Sequence, residues 1–152
     1  MKIWLAAVGR ARAGAARDLY EEYARRMTWP LVLKEVESKK RVPPDELKRL
    51  EAGLLLSAVP NAATIVALDE RGAALSSERF AEKLGGWRDT GVGDVAFLIG
   101  GADGLDPALK ARAHTLLRIS SLTLPHGMVR VLLAEQLYRA WSVTQNHPYH
   151  RA

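Results

Sequence analysis

The sequence predicts an α/β domain with a mainly parallel sheet and flanking helices. Three observations carry this reading. Short apolar runs alternate with segments of helical period along the whole chain. The run Thr64–Leu68 (TIVAL) is continuously apolar, as suits a strand covered on both faces. Two further runs end in Gly-rich or small polar residues with a helix start close behind, the layout by which open α/β sheets bind ligands outside the carboxyl ends of their strands.

In chain order, Lys2–Val8 (KIWLAAV) reads as a strand ending at Gly9. Ala15–Met27 carries Leu19, Tyr23, Ala24 and Met27 at helical spacing and reads as an amphipathic helix. Trp29-Pro30 breaks it, because the residue before proline avoids the helical region. Leu31–Val36 is the second strand, and Ser38–Val42 (SKKRV) a basic loop. Pro43-Pro44-Asp45 opens a helix whose expected buried stripe is Leu47, Leu50, Leu54, Leu55 and Ala58, with Pro60-Asn61 ending it. After the third strand, Thr64–Leu68, Asp69-Glu70-Arg71-Gly72 reads as a turn. Ser76 or Ser77 caps the next helix, with Phe80, Leu84 and Trp87 inward. The fourth strand is Asp94–Ile99. Asp106 as N-cap and Pro107 as first residue start a short helix to about Ala113. The fifth strand is Leu116–Ile119, and a last helix runs from about Gly127 to Val143.

That last helix is apolar on two sides. Val129, Leu132, Leu133, Gln136, Leu137, Ala140 and Trp141 make one face; Met128, Val131, Glu135, Tyr138 and Ser142 lie around a second. A helix apolar on more than one side needs cover on more than one side. One face suits the sheet, and a second copy of the chain is the simplest cover for the other. A homodimer through this helix is therefore expected, with burial inside one subunit as the alternative.

At 152 residues the chain fits one domain with a real core. It has no Cys, so disulfide, thiolate and Cys-zinc chemistry are excluded, and the four His show no metal-ligand spacing. No metal is expected. Met1–Val8 is too short for a convincing signal peptide, and no run approaches a membrane span, so a cytoplasmic location without membrane attachment is expected. Residues 1–50 hold twelve Lys/Arg against seven Asp/Glu, which is the whole net charge of +5; the remainder holds ten of each. Such asymmetry fits a polyanionic partner, and equally a solvated surface.

The fourth strand runs into Gly100-Gly101-Ala102-Asp103-Gly104 and the fifth into Ser120-Ser121-Leu122-Thr123-Leu124-Pro125. The two stretches form the walls of one candidate pocket. The Gly-rich turn matches neither a Walker loop nor GxGxxG, so a plain tight turn remains open for it. The tail Asn146–Ala152 (NHPYHRA) is unusually rich in His, Tyr and Arg; a functional segment and a tail docked on the surface are both open, and Pro148 pre-sets an extended path. His114 reads as structural. His126, just after Pro125 and beside the pocket loop, is the His favoured for chemistry.

At IGGADGL, SSLTLPH, VRVLLAEQLYRAW and the terminal NHPYHR the chain resembles the RlmH family, bacterial ribosomal RNA methyltransferases of the SPOUT superfamily, over its whole length. The resemblance implies a C-terminal trefoil knot that binds S-adenosylmethionine, a homodimer, and methylation of N3 of a pseudouridine in 23S rRNA on assembled ribosomes. It implies cofactor contacts at Leu68, Gly101, Ser120, Ser121, Leu122, Thr123, Leu124 and Pro125. It marks His126, Tyr149 and Arg151 for substrate binding or catalysis. The chain departs from the family at IGGADG, where IGGPEG is frequent, and at HGMVR, where HPLVR is frequent. Arg10, Arg12, Lys39, Lys40 and Arg41 then become candidates for gripping RNA phosphates. Two other readings are a non-catalytic RNA-binding assembly factor and a methyltransferase for another RNA such as tRNA.

Overall fold

The computed structural model describes residues 1–151. Five strands, β1 (Lys2–Val8), β2 (Leu31–Val36), β3 (Thr64–Ala74), β4 (Asp94–Ile99) and β5 (Thr115–Arg118), form one sheet in the order β2-β1-β4-β3-β5. Every neighbouring pair is parallel. The helices are α1 (Ala15–Arg26), α2 (Pro44–Ser57), α3 (Ser77–Asp89), α4 (Pro107–Arg112) and α5 (His126–Thr144), followed by a 3-10 turn at Pro148–Arg151.

The alternation of side chains along a strand sorts the core into two layers. Ile3, Leu5, Ala7, Val66, Val95, Phe97 and Ile99 pack with residues of α1, α3 and α5. Ala6, Ile65, Ala67, Ala96 and Leu98 pack with α2 and α4. Both sheet faces are thus covered, which is why the strands read as apolar runs. Burying a side chain such as Phe97, Ile3 or Leu98, each fully enclosed, contributes about 1.5–3 kcal/mol.

The strand and helix limits follow the expected ones to within a residue or two, except in three places. The stripe of α2 is rotated: Glu51, Ala52 and Leu55 are buried, Val59 just beyond the helix joins them, and Leu54 is exposed. The segment 69–72 is a bulge inside β3 rather than a terminal turn. Pairing with β5 runs to Leu68↔Leu117, shifts, and resumes at Ala73↔Leu117 and Ala74↔Arg118. Gly72 makes this possible, because a Cβ there would sit 2.7 Å from backbone atoms of Leu116 and Leu117. Pro148 opens a 3-10 turn, not an extended path.

Helix α5 packs against both α1 and α3. Val131, Leu133, Ala134, Leu137, Tyr138, Ala140 and Trp141 are buried around its circumference. Trp141 Nε1 donates to Thr28 Oγ1 at 2.9 Å, and Ser77 Oγ donates to Gln136 Oε1 at 2.7 Å. The two-sided apolar pattern is therefore satisfied within one chain, by the sheet and two neighbouring helices. This corrects the reason for expecting a second copy on α5: the pattern alone does not require one. No helix among the described residues is long and apolar enough to cross a membrane.

Candidate active site

The carboxyl ends of β3, β4 and β5 lie side by side, so the loops that leave them meet. They enclose a cleft of about 470 Å³. Leu68, Asp69, Glu70 and Arg71 line it from β3, Ile99, Gly100, Gly101 and Gly104 from the β4 loop, and Leu117–Leu124 from β5 and its loop. His126 and Val129, at the start of α5, close one side. A volume of this size suits a small-molecule ligand.

The β4 loop owes its shape to glycine. Gly101 and Gly104 form an isolated antiparallel bridge, and the N–H of Gly104 donates to the Gly101 carbonyl at 3.0 Å. A Cβ on Gly100 would lie 2.7 Å from the carbonyl carbon of Gly104, so the turn closes only with glycine at 100. Glu51 of α2 sits beneath it: a Cβ on Gly101 would meet Glu51 Oε2 at 2.9 Å. Burial, reinforced by Asp103, raises the Glu51 carboxyl above its ordinary value. The β5 loop carries its own local turn, in which the N–H of Leu122 donates to Ser120 Oγ at 2.9 Å.

At the end of β3, Lys110 Nζ pairs with Asp69 Oδ2 at 2.8 Å. Burial raises the Asp69 carboxyl, but hydrogen bonds from Lys110 and the Arg71 N–H, with the charge of Lys110, outweigh it and leave the carboxyl below its ordinary value. Arg118 Nε is buried without a hydrogen-bond partner among the described residues. The cleft therefore offers apolar walls, carboxylates and the arginines Arg71 and Arg118 to one ligand.

The structure gathers Leu68, Gly101, Ser120, Ser121, Leu122, Thr123 and Leu124 on this cleft, with His126 at its edge. Pro125 is the N-cap of α5, adjoining the cleft without lining it. Tyr149 and Arg151 are placed elsewhere. Tyr149 Oη donates to Glu135 Oε1 at 3.0 Å, and its ring lies 4.5 Å from that of Tyr138. Glu135 is nine residues past His126 on α5, about 13 Å along the axis. Burial, then the bonds to Tyr23 and Glu135, raise the Tyr149 hydroxyl well above its usual range, so it stays a proton donor. Arg151 is exposed in the terminal turn. Within one chain the described tail residues, 146–151, do not line the cleft, and Ala152 lies outside the described residues. His114 lies just past α4, where its Nδ1 accepts the Ile65 N–H at 2.9 Å, a structural role.

Sequence reading missed Asp69, Glu70 and Arg71 as wall residues, because a polar run ending in Gly reads as a turn. It also missed Arg118, whose position at a strand end beside the pocket loop was the available signal. Lys39, Lys40 and Arg41 lie in the exposed loop before α2, away from the cleft lining. No group of three or more His, Asp or Glu among the described residues is placed to hold a metal ion.

A family model described as "Predicted SPOUT methyltransferase" matches residues 1–150. The chain is 61% identical over 152 residues to a protein named ribosomal RNA large subunit methyltransferase H from Rhodospirillum centenum, covering all of both chains. It is 57% identical to the protein of that name from Cupriavidus metallidurans, again with full coverage of both. Among solved structures, a probable methylase family protein of Haemophilus influenzae Rd KW20 superposes with a TM-score of 0.59 at 16% identity, over 97% of this chain and 69% of that one. A probable methyltransferase of Bordetella pertussis Tohama I gives 0.58 at 19% identity, over 92% and 96%. These two support the fold alone.

Proposed function

The chain belongs to the SPOUT methyltransferase family, and from that premise we propose that it methylates large-subunit ribosomal RNA, at N3 of a pseudouridine in 23S rRNA, with S-adenosylmethionine bound in the cleft between the β4 and β5 loops. The observation that carries the proposal is the convergence of both loops and His126 on one cleft of about 470 Å³. A cytoplasmic location follows from a ribosomal substrate.

The cleft residues fit the cofactor. Leu68, Ile99, Leu122 and Leu124 supply apolar surface for an adenine ring, and the turns at Gly101 and Ser120–Thr123 supply backbone polar groups for its edge. The Glu70 carboxylate suits ribose hydroxyls or the ammonium group. The Arg118 guanidinium, on the cleft lining, suits the carboxylate. When bound, S-adenosylmethionine supplies an electrophilic methyl group on a sulfonium. Threading of the chain as a trefoil knot is part of the proposal, and the close crossing of Gly72 over β5 is compatible with it.

The chain's own residues must then handle a proton. Position N3 carries an imide-like N–H between two carbonyls, and that proton leaves before or during methyl transfer. His126 takes it, directly or through a water, because it lines the cleft. A cation beside a carbonyl oxygen stabilises the developing anion. Arg151 serves there or holds a phosphate, and Tyr149 positions the base by stacking or hydrogen bonding. Because the tail of one chain stays near Glu135 and Tyr138, these residues act on the cleft of a second copy. The homodimer thus rests on the distance between tail and cleft. Exposed Leu122 on the cleft lining and exposed Met128 in the first turn of α5 offer apolar contact for it. Arg10, Arg12, Lys39, Lys40 and Arg41 attract the RNA backbone.

The test is calorimetric titration of S-adenosylmethionine into the full chain and into Gly101→Val. Saturable binding that Gly101→Val abolishes supports the site. Wild-type protein that binds no cofactor while binding ribosomes would favour the non-catalytic assembly factor.

A further inference from the structure

A second recess, also of about 470 Å³, opens on the other side of His126. It lies between the β1–α1 loop and the first turn of α5. Arg10, Arg12, Arg17, Tyr20 and Arg130 line it with His126, and among the described residues no carboxylate does. Two helix starts converge on it. A Cβ at Gly127 would stand 3.7 Å from the Cβ of Ala16, and neither α1 nor α5 has a side-chain cap. Uncapped helix starts present N–H groups and a partial positive charge.

The recess is built rather than incidental. Arg130 is 5% exposed. It donates from Nη1 to Glu35 Oε2 at 2.7 Å and from Nη2 to the Gly9 carbonyl at 2.9 Å. Glu35 also accepts the Ala11 N–H. These bonds tie β1, its loop, β2 and α5 into one frame. Tyr20 is 7% exposed, and its hydroxyl is buried with no hydrogen-bond partner among the described residues. A buried hydroxyl without a partner costs free energy unless a ligand completes it. Burial raises this hydroxyl above its usual range, so it is a donor.

We propose that this recess is a phosphate site, taking the backbone phosphate of the nucleotide whose base is presented at the neighbouring cofactor cleft. Arginine side chains, helix-start N–H groups and an unpaired O–H donor are the chemistry of anion recognition. His126 is shared by both cavities, so a phosphate held on one side of it places the attached nucleoside on the other. The inference rests on the RNA methyltransferase reading and deepens it: Arg10 and Arg12 belong to a specific subsite, and the diffuse attraction is left to Lys39, Lys40 and Arg41.

The experiment uses the ¹⁵N-labelled full chain, titrated separately with inorganic phosphate, uridine 5′-monophosphate and uridine. Phosphate and the monophosphate should shift the amides of Gly9–Ala16 and Gly127, and uridine should not. Tyr20→Phe and Arg12→Gln should each weaken that binding about tenfold. Tyr20→Phe should melt no lower than the wild type, since only an unpaired hydroxyl is lost. With ribosomes as substrate, the loss in both variants should fall on KM. No shift with phosphate, or equal affinity in both variants, would overturn the site. Phosphate binding with unchanged ribosome KM in Tyr20→Phe and Arg12→Gln would overturn its assignment to RNA. A titration with S-adenosylmethionine, read at Gly101 and Ser120–Leu124, separates this from the cofactor proposal: either set of amides can fail to respond without the other.

Discussion

Gly100→Ala places one methyl group inside the turn that closes β4. The new Cβ would lie 2.7 Å from the carbonyl carbon of Gly104, 2.8 Å from its oxygen and 3.1 Å from Leu105 Cδ2. Two of these are backbone atoms, which no side-chain rotation can relieve. The bridge between Gly101 and Gly104 must open by about 0.7 Å before the contact reaches an ordinary separation. Overpacking of this kind costs about 1–3 kcal/mol. At this chain length each kcal/mol lowers Tm by roughly 2–4 °C, so a fall of about 2–12 °C is expected. The same movement carries the Gly101 wall away from the cofactor. Losing one or two hydrogen bonds of about 1 kcal/mol each weakens S-adenosylmethionine about five- to thirtyfold. Thermal melting and calorimetric titration measure the two effects. Gly53→Ala is the control: it lies in α2, is exposed, and has nothing within 4 Å of a built Cβ. That change should stabilise the chain by about 0.8–1 kcal/mol and leave cofactor affinity unchanged. Gly100→Ala protein with wild-type Tm and wild-type cofactor affinity would refute the reasoning.

Glu35→Gln strips the buried Arg130 of its carboxylate partner and should cost about 1–3 kcal/mol at pH 7 by urea denaturation. Burial raises the Glu35 carboxyl, but the bonds from Arg130 and Ala11 outweigh it and hold the carboxyl below its ordinary value. The contribution is therefore complete above the unfolded carboxyl range and fades as pH falls through the folded value. The gap between wild type and Glu35→Gln should shrink below about pH 4; a gap independent of pH would contradict the ion-pair account. Phe97→Ala, at a fully enclosed centre of the sheet, should cost about 3–5 kcal/mol, again by urea denaturation. If tail and cleft come from different copies, mixing inactive His126→Ala and Arg151→Ala proteins through a refolding step should restore methyl transfer. Random pairing gives about a quarter of wild-type activity. A mixture as inactive as its components would place both residues on the same copy's site.

Much of the fold was legible because its signals are local. Strands β1, β2 and β4 have the expected limits, each a short apolar run bounded by Gly or Pro or by a following Gly pair. Asp106 caps α4 through the Ala108 N–H, and Ser76 caps α3 through the Arg79 N–H, as their positions imply. What escaped depends on contacts distant in sequence. Asp69–Gly72 has the composition of a turn, but it bulges because β5 lies against Gly72. The stripe of α2 is rotated toward Glu51, which lies beneath a turn fifty residues away in the chain. Both sides of α5 are apolar, yet the helices that cover them, α1 and α3, belong to the same chain. The cleft lining was readable at Gly101 and Ser120–Leu124 because each follows an apolar strand directly. The frame of Glu35, Arg130 and the Gly9 carbonyl, with the unpaired Tyr20 nearby, joins four parts of the chain and leaves no periodic trace.

The most direct test of the central claim is to incubate the protein with tritiated S-adenosylmethionine and ribosomes from a strain lacking the enzyme, then map the label. Methyl groups on N3 of one pseudouridine in 23S rRNA, absent with His126→Ala, are the predicted result. Label confined to another RNA, or no label from protein that demonstrably binds the cofactor, would contradict the assigned substrate.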